Sequence, residues 1–543
     1  MKEIIYAIFL SFFLCGLCGN AEAKKKKEVK KAIKREVQTP YDKLFKGKKA
    51  FTVNGLMKMH LMAGKVYAEF PIELLNRDLA LTSSIEDISD NGEGVVGQFA
   101  GRVNQFRFTL QDSMLQARLV RRYGVKNTGM GKNADQIIER SNTPGIFQSY
   151  KILAYTPDKK AVVVDMTELF LESSRLTNPF PSYAGNSLYG FVQRIHKFQS
   201  QRSELLGICG NDNSMSVRCN LGFNVDRLVL GSFMQAKDVP VSVTVNKILM
   251  LLPEDPMRPR LADSRIGVNA IIQTELPDVC QGIKTYYITK RWRIEPVDEI
   301  RYKQGEMVDV KKPIVFYIDT LMPDSWIKYV KAGAEAWNAA FEKIGLRNVV
   351  RTELFPKDSS FDAGDIHNSV IRYAPSWMYY PQYSMHTDPR TGEILNASVY
   401  LPANVASYFY TSRTEETMAV DPSVRKARLS EEQFGEMFKA KMMQAIGRCL
   451  GLTDNYAASS VYPVDSLRSA SFTRKYGVVA SVMDDFTCNK IAQPEDVKKG
   501  VVLVQQNLGP YDYEVIKYLY KPIMEVKHFR EEKAVLGQWI KEM

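Results

Sequence analysis

The chain has 543 residues, 45% of them apolar and 25% charged, which is the composition of globular protein with room for a sizeable core. Its net charge of +12 is unevenly held: Lys24 to Glu36 alone carries eight basic and two acidic residues, half of the excess. Basicity concentrated in one short run reads as a solvated tether and excludes a nucleic-acid footprint spread over folded surface.

Residues 1–23 have the pattern of a secretory signal. Lys2 opens it, Ile4 to Leu17 is apolar, and Ala21-Glu22-Ala23 is a small-x-small cleavage site. The apolar run is short for a membrane span. Export to the periplasm, the outer membrane or the medium is therefore expected. Cys15 and Cys18 are candidate lipidation sites, but Leu precedes each where a small residue belongs. Residues 24–40 form the basic linker, which suits contact with an anionic envelope surface. Cys209, Cys219, Cys280, Cys449 and Cys488 follow it. An oxidising compartment permits disulfides, and an odd count leaves at least one thiol over. Cys209 with Cys219, and Cys449 with Cys488, are the pairings to consider beside the alternative that all are free.

Three folded parts are expected: a small N-terminal domain over 41–81, a β-rich domain over 82–285, and a third domain over 286–543. Alternating runs predict strands at Val103 to Leu110, Ser149 to Ala154, Ala161 to Asp165 and Ser242 to Met250, with a short helix at Asp165 to Leu171. Gly92 to Gly97 matches G-x-G-x-x-G by letter, but strand-like sequence follows it instead of a helix, so it reads as a turn. Pro253 to Gly267, rich in Pro and Arg, reads as an ordered connector with its arginines in solvent.

In the third domain, Lys290 to Glu295, Pro313 to Asp319, Asn348 to Thr352, Ser369 to Tyr373 and Ile394 to Leu401 are expected strands. Pro323 to Ile344 is an expected helix with Trp326, Val330, Ala334, Trp337 and Phe341 on one stripe. A further helix opens at Ser430, where Gln433 completes a capping box, and buries Phe434, Phe438, Met442, Ile446 and Leu450.

The end of that helix carries the chemistry. Met442 to Ser460 has the frame of H-E-x-x-H-x-x-G-x-x-H without its ligands. Gln444 and Arg448 stand at the first two His positions, Ala445 at the general-base Glu, and Asp454 at the third His. Gly451, where the helix must turn back, is kept. Ser481 to Asp485, S-V-M-D-D, is similar to a Met-turn, with Met483 beneath the site. With Asn455 to Ser469, Phe472 to Gly477, Ala492 to Asp496 and Gly509 to Asp512, these segments resemble the met-zincin family of bacterial cell-envelope proteins, which carries an EcxA-like zinc-binding domain.

The resemblance runs from about residue 41 onward and implies an α+β chain: a β-rich N-terminal part, then a metzincin-like domain of twisted sheet and long helices. It implies zinc in the family, and a substrate cleft along Ile394 to Leu401 as the sheet edge. The family continues beyond Trp539, so a truncated C-terminus is a further expectation. Zinc needs neutral lone-pair donors. Asp454 could supply one and Gln444 a weak one, but Arg448 is a permanent cation with none. Ala445 removes the base. The five His residues, His60, His196, His367, His386 and His528, form no helical pair, and no G-x-S-x-G occurs. The leading expectation is thus a pseudoprotease that binds peptide or protein and holds no cofactor. A zinc peptidase with an altered site and a degraded gene copy are the alternatives.

Overall fold

The structure is a computed structural model describing residues 38–120, 125–127, 132–173, 176–180, 192–277, 282–358, 361–376, 378–485, 488–526 and 528–543. The expected signal peptide, Cys15, Cys18, most of the basic linker and Cys280 lie outside the described residues. The linker ends earlier than expected, because Thr39 caps a helix over Pro40–Phe45.

Two sheets face each other in the N-terminal half. One has five strands, in the order Phe51–Val53, Lys58–Met62, Lys65–Pro71, Ala161–Asp165 and Ala154–Tyr155. The other has seven antiparallel strands, in the order Val192–Asn211, Ser214–Val229, Phe233–Leu251, Leu79–Ile88, Phe99–Gln111, Met114–Leu119 and Gly145–Lys151. Met215, Val217, Cys219, Leu221, Phe223 and Val225 are all buried, the alternation that makes a half-buried strand. Val66 and Phe70 of the first sheet share a core with Phe106, Leu115 and Val217 of the second. A boundary at 81 is not observed. Leu79–Ile88 runs through it, and Ala161–Asp165 completes the first sheet from far along the chain. The boundary at 285 likewise falls inside a strand, Lys284–Thr289, which pairs with Ala270–Leu276.

The third part is built on a five-stranded sheet, in the order Val350–Leu354, Ile314–Ile318, Ser369–Ala374, Ile394–Pro402 and Gln382–Thr387. The first four strands run parallel and the last antiparallel. This overturns the expectation that Ile394 to Leu401 is the sheet edge. The turn over Asp388 to Glu393 folds the chain back, so the earlier strand ends outside and the later one is paired on both sides. Among the described residues Gln382–Thr387 is the edge strand on that side of the sheet.

Two other expectations need correction. Lys290 to Glu295 is not a strand; the regular strand is Lys284–Thr289, and Arg291 makes only a single bridge, to Glu393. The long helix divides into Asp324–Glu335 and Asn338–Glu342. The break falls at Trp337, whose buried indole Nε1 donates to Met443 O at 2.9 Å.

Of the three connector arginines, Arg265 stands exposed beside Asp263 as expected, but Arg258 and Arg260 are held by the protein. Arg260 is 2% exposed. Its guanidinium donates to Glu532 Oε2 at 2.9 Å and to the carbonyls of Tyr518 and Lys521 at 2.8 and 3.0 Å, where the helix Pro510–Tyr520 ends. Arg258 donates to the carbonyls of Ile523 and Val526. The connector therefore clamps the C-terminal helices.

The described cysteines, Cys209, Cys219, Cys449 and Cys488, are free thiols. Strand register sets Cys209 opposite Ser216 and Cys219 opposite Leu205, which keeps that pair apart. Cys449 and Cys488 share the core, and Cys488 Sγ lies 3.8 Å from Met437 Sδ.

His386, on the edge strand, packs its ring 4.6 Å from Phe99 of the seven-stranded sheet, and neither ring nitrogen has a partner. Burial pushes it down to about 4. The unfolded chain then binds a proton more readily between pH 6.5 and 4, so this stability is present above 6.5 and lost on acidification. Stability should fall by about 2 kcal/mol from this residue between pH 8 and pH 5. His386→Phe should remove that part of the slope in denaturant unfolding at the two pH values; an unchanged slope would contradict it.

Candidate functional site

The helix Glu431–Cys449 begins with the expected capping box, Ser430 with Gln433. It ends at Gly451, whose φ of +95° only glycine adopts without strain. Leu452 N donates to Gly447 O and Gly451 N to Arg448 O, both at 3.0 Å, the pair of hydrogen bonds that stops a helix through a left-handed residue. A Cβ at 451 would also strike Lys290 O. The chain then turns along the connector, Thr453 N donating to Gly267 O at 3.1 Å, and carries Asp454 back to the helix.

There Arg448 Nε and Nη2 both donate to Asp454 Oδ1, at 2.9 and 2.7 Å. The two side chains are 22% and 33% exposed. The guanidinium carbon stands 5.8 Å from the ring centre of Tyr383, on the edge strand. Arg448 and Asp454 thus pair as their reach allows. Gln444 does not join them. Its Nε2 donates to Asp484 O at 2.7 Å, and its Oε1 lies 3.4 Å from Lys441 Nζ. Ala445 is buried and presents no polar group.

Met483 is fully buried beneath the helix. A Cβ on Gly447 would strike its sulfur and come within 2.7 Å of the Trp337 ring, so this glycine lets helix and turn touch. Asn455 N donates to Met483 O at 3.0 Å, and Ser459 N to Asp484 Oδ2 at 2.6 Å. Asp512 anchors the turn from below, accepting from Ser481 Oγ, Val482 N and Gly509 N at 2.6, 2.9 and 2.7 Å.

Residues 426–543 match the family model described as Met-zincin. This is a metzincin-like domain. Residues 97–297 match a model described as a domain of unknown function. No curated protein and no solved structure matches the chain.

The Met-zincin description implies zinc for the family, so the residues standing here can be tested for fit to it. The Gln444 amide is committed to the backbone at 484 and to Lys441. The Asp454 carboxylate is committed to Arg448, whose charge repels a cation. Among the described residues no three His, Cys, Asp or Glu side chains gather closely enough to hold a metal. These residues do not fit zinc.

Sequence reasoning missed three contributors here. Lys441 is one turn before Gln444, mostly buried, with Nζ 3.6 Å from Asp485 Oδ1. Its spacing from 444 and 448 on one helical face was the available signal. Tyr383 and the anchoring role of Asp512 had none, since both depend on the tertiary fold.

The pair's exposure sets its worth. Arg448→Ala and Asp454→Ala should each cost about 1 kcal/mol, the level of a solvent-touched ion pair. A double-mutant cycle in denaturant should give a coupling of similar size. A coupling indistinguishable from zero would mean that the pair is incidental.

Proposed function

We propose that this chain is an exported pseudoprotease of the cell envelope, whose metzincin-like domain binds peptide or protein without cleaving it. The observation that carries the reading is the Arg448–Asp454 pair: a guanidinium and its counter-ion hold the positions from which a metal would be held. Ala445, at the position of the base, has no group that can take a proton from water.

The edge strand supports the binding part. Gln382–Thr387 pairs only with Ile394–Pro402 among the described residues, and an extended peptide can add to such an edge through main-chain hydrogen bonds. The ligand would lie along Gln382–Thr387 and not along Ile394 to Leu401. Export rests on the pattern of residues 1–23, and contact with an anionic surface on the basic run after it.

The test combines metal analysis with a binding assay. The purified chain should hold no stoichiometric zinc and cleave no peptide in a broad substrate mixture. Peptides captured from an array should be released by Tyr383→Asp at unchanged thermal stability. One tightly held zinc per chain, lost in Asp454→Ala, would refute the reading.

A further inference from the structure

A cavity of about 600 Å³ lies where the seven-stranded sheet, the connector and the third part meet. Its apolar wall is drawn from all of them. Leu252 follows the strand Phe233–Leu251, and Ile294 follows the connector. Val315 comes from Ile314–Ile318, Ile366 from the loop before Ser369–Ala374, and Leu395 from Ile394–Pro402. A space of this volume at a junction between folded parts has the size and the place of a small-molecule site.

The polar groups of the wall are spent on the protein. Trp292 Nε1 donates to Cys449 O at 2.9 Å, Ser369 Oγ accepts from Ala397 N at 3.2 Å, and His367 Nδ1 lies 2.8 Å from Asp365 Oδ1. The charges are paired as well. Arg293 donates to both oxygens of Glu393, at 3.1 and 3.0 Å, and Glu254 is paired with Arg77. Lys312 stands exposed at the rim, where a charge is screened by solvent and is worth little to an anion. The cavity therefore favours neither sign of charge. Water inside it meets carbon on five side chains and finds few partners, so an apolar molecule that displaces this water gains affinity.

We infer that this cavity binds a neutral small molecule made mostly of hydrocarbon, lying against Leu252, Ile294, Val315, Ile366 and Leu395. None of the five is on the edge strand Gln382–Thr387. Such a ligand would touch the end of the seven-stranded sheet and the sheet of the third part at once, and so would hold the two together.

The probe is N-phenyl-1-naphthylamine, which is neutral and fluoresces more strongly in apolar surroundings, titrated into the whole purified chain. The competitors are 1-decanol, decanoate and decylammonium. One saturable site is expected, emptied by 1-decanol at a lower concentration than by either ion, and 1-decanol should raise the melting temperature. Val315→Trp places an indole in the space and should weaken probe binding by at least about tenfold, since two groups cannot share it. Leu395→Trp should do the same and serves if Val315→Trp fails to fold. Phe233→Ser, at an exposed residue that is not part of the wall, should change nothing. The inference is overturned if the probe does not saturate, if the tryptophan variants that fold bind it unchanged, if Phe233→Ser abolishes the signal, or if either ion competes better than 1-decanol.

Discussion

Glu532→Ala is expected to cost about 3–5 kcal/mol of global stability, the penalty for leaving a buried charge without its partner. Glu532 is fully buried and is the shared carboxylate of Arg258 and Arg260. Removing it leaves Arg258 and Arg260 without the carboxylate they share. A loss of that size is a large part of a domain's stability, so low soluble yield should accompany it. Glu532→Gln keeps an acceptor of the same shape and should recover part of the loss. The double change Arg260→Met with Glu532→Leu should be milder than Glu532→Ala alone, because the wholly buried arginine is no longer stranded and Arg258, about a third exposed, is left to solvent. A denaturation midpoint unmoved by Glu532→Ala would show that the cluster does not hold the C-terminal helices.

Asp512→Ala should cost on the order of 3 kcal/mol, since Ser481 Oγ, Val482 N and Gly509 N would lose one common acceptor in a dry site. This substitution carries a pH signature. Burial pushes Asp512 up to about 6 in spite of its three hydrogen bonds. The folded chain then takes up a proton before the unfolded chain does, so this residue adds stability as pH falls from 6 toward 4 and withdraws it as pH rises. The gap between the unaltered chain and Asp512→Asn should widen in acid. His386 acts in the opposite sense over an overlapping range, so the slopes appear only by comparison with each single variant. A constant gap between pH 7 and pH 4.5 would refute the assignment to Asp512.

The sequence carried the local parts of this structure well. The capping box at Ser430, the four-residue stripe of the site helix and the stop at Gly451 follow from nearest-neighbour rules, and all three occur. The reach of Arg448 to Asp454 followed from side-chain length and a turn six residues long. Illegible were the facts that depend on distant partners. The acceptor for Gln444 is a backbone carbonyl forty positions on, and backbone carbonyls leave no mark in a sequence. Edge and interior strands in the third sheet have similar compositions, and only pairing distinguishes them. The arginines of the connector looked solvated because Pro-rich segments usually are. The carboxylate shared by Arg258 and Arg260 lies beyond any local window.

That last separation bears on how the chain is made. Arg260 and Glu532 are 272 positions apart. At ordinary elongation rates of about 5–20 residues per second, roughly 15–55 s pass between the synthesis of one and the other. The two N-terminal sheets have most of their pairing partners early and can fold on the ribosome or soon after. The connector cannot dock in that interval, and its guanidinium groups must stay hydrated. The metzincin-like domain is therefore expected to close last, in a step that waits for its own final helices. Nascent chains arrested before residue 532 should show protease-resistant N-terminal sheets and a connector still open to cleavage at its arginines.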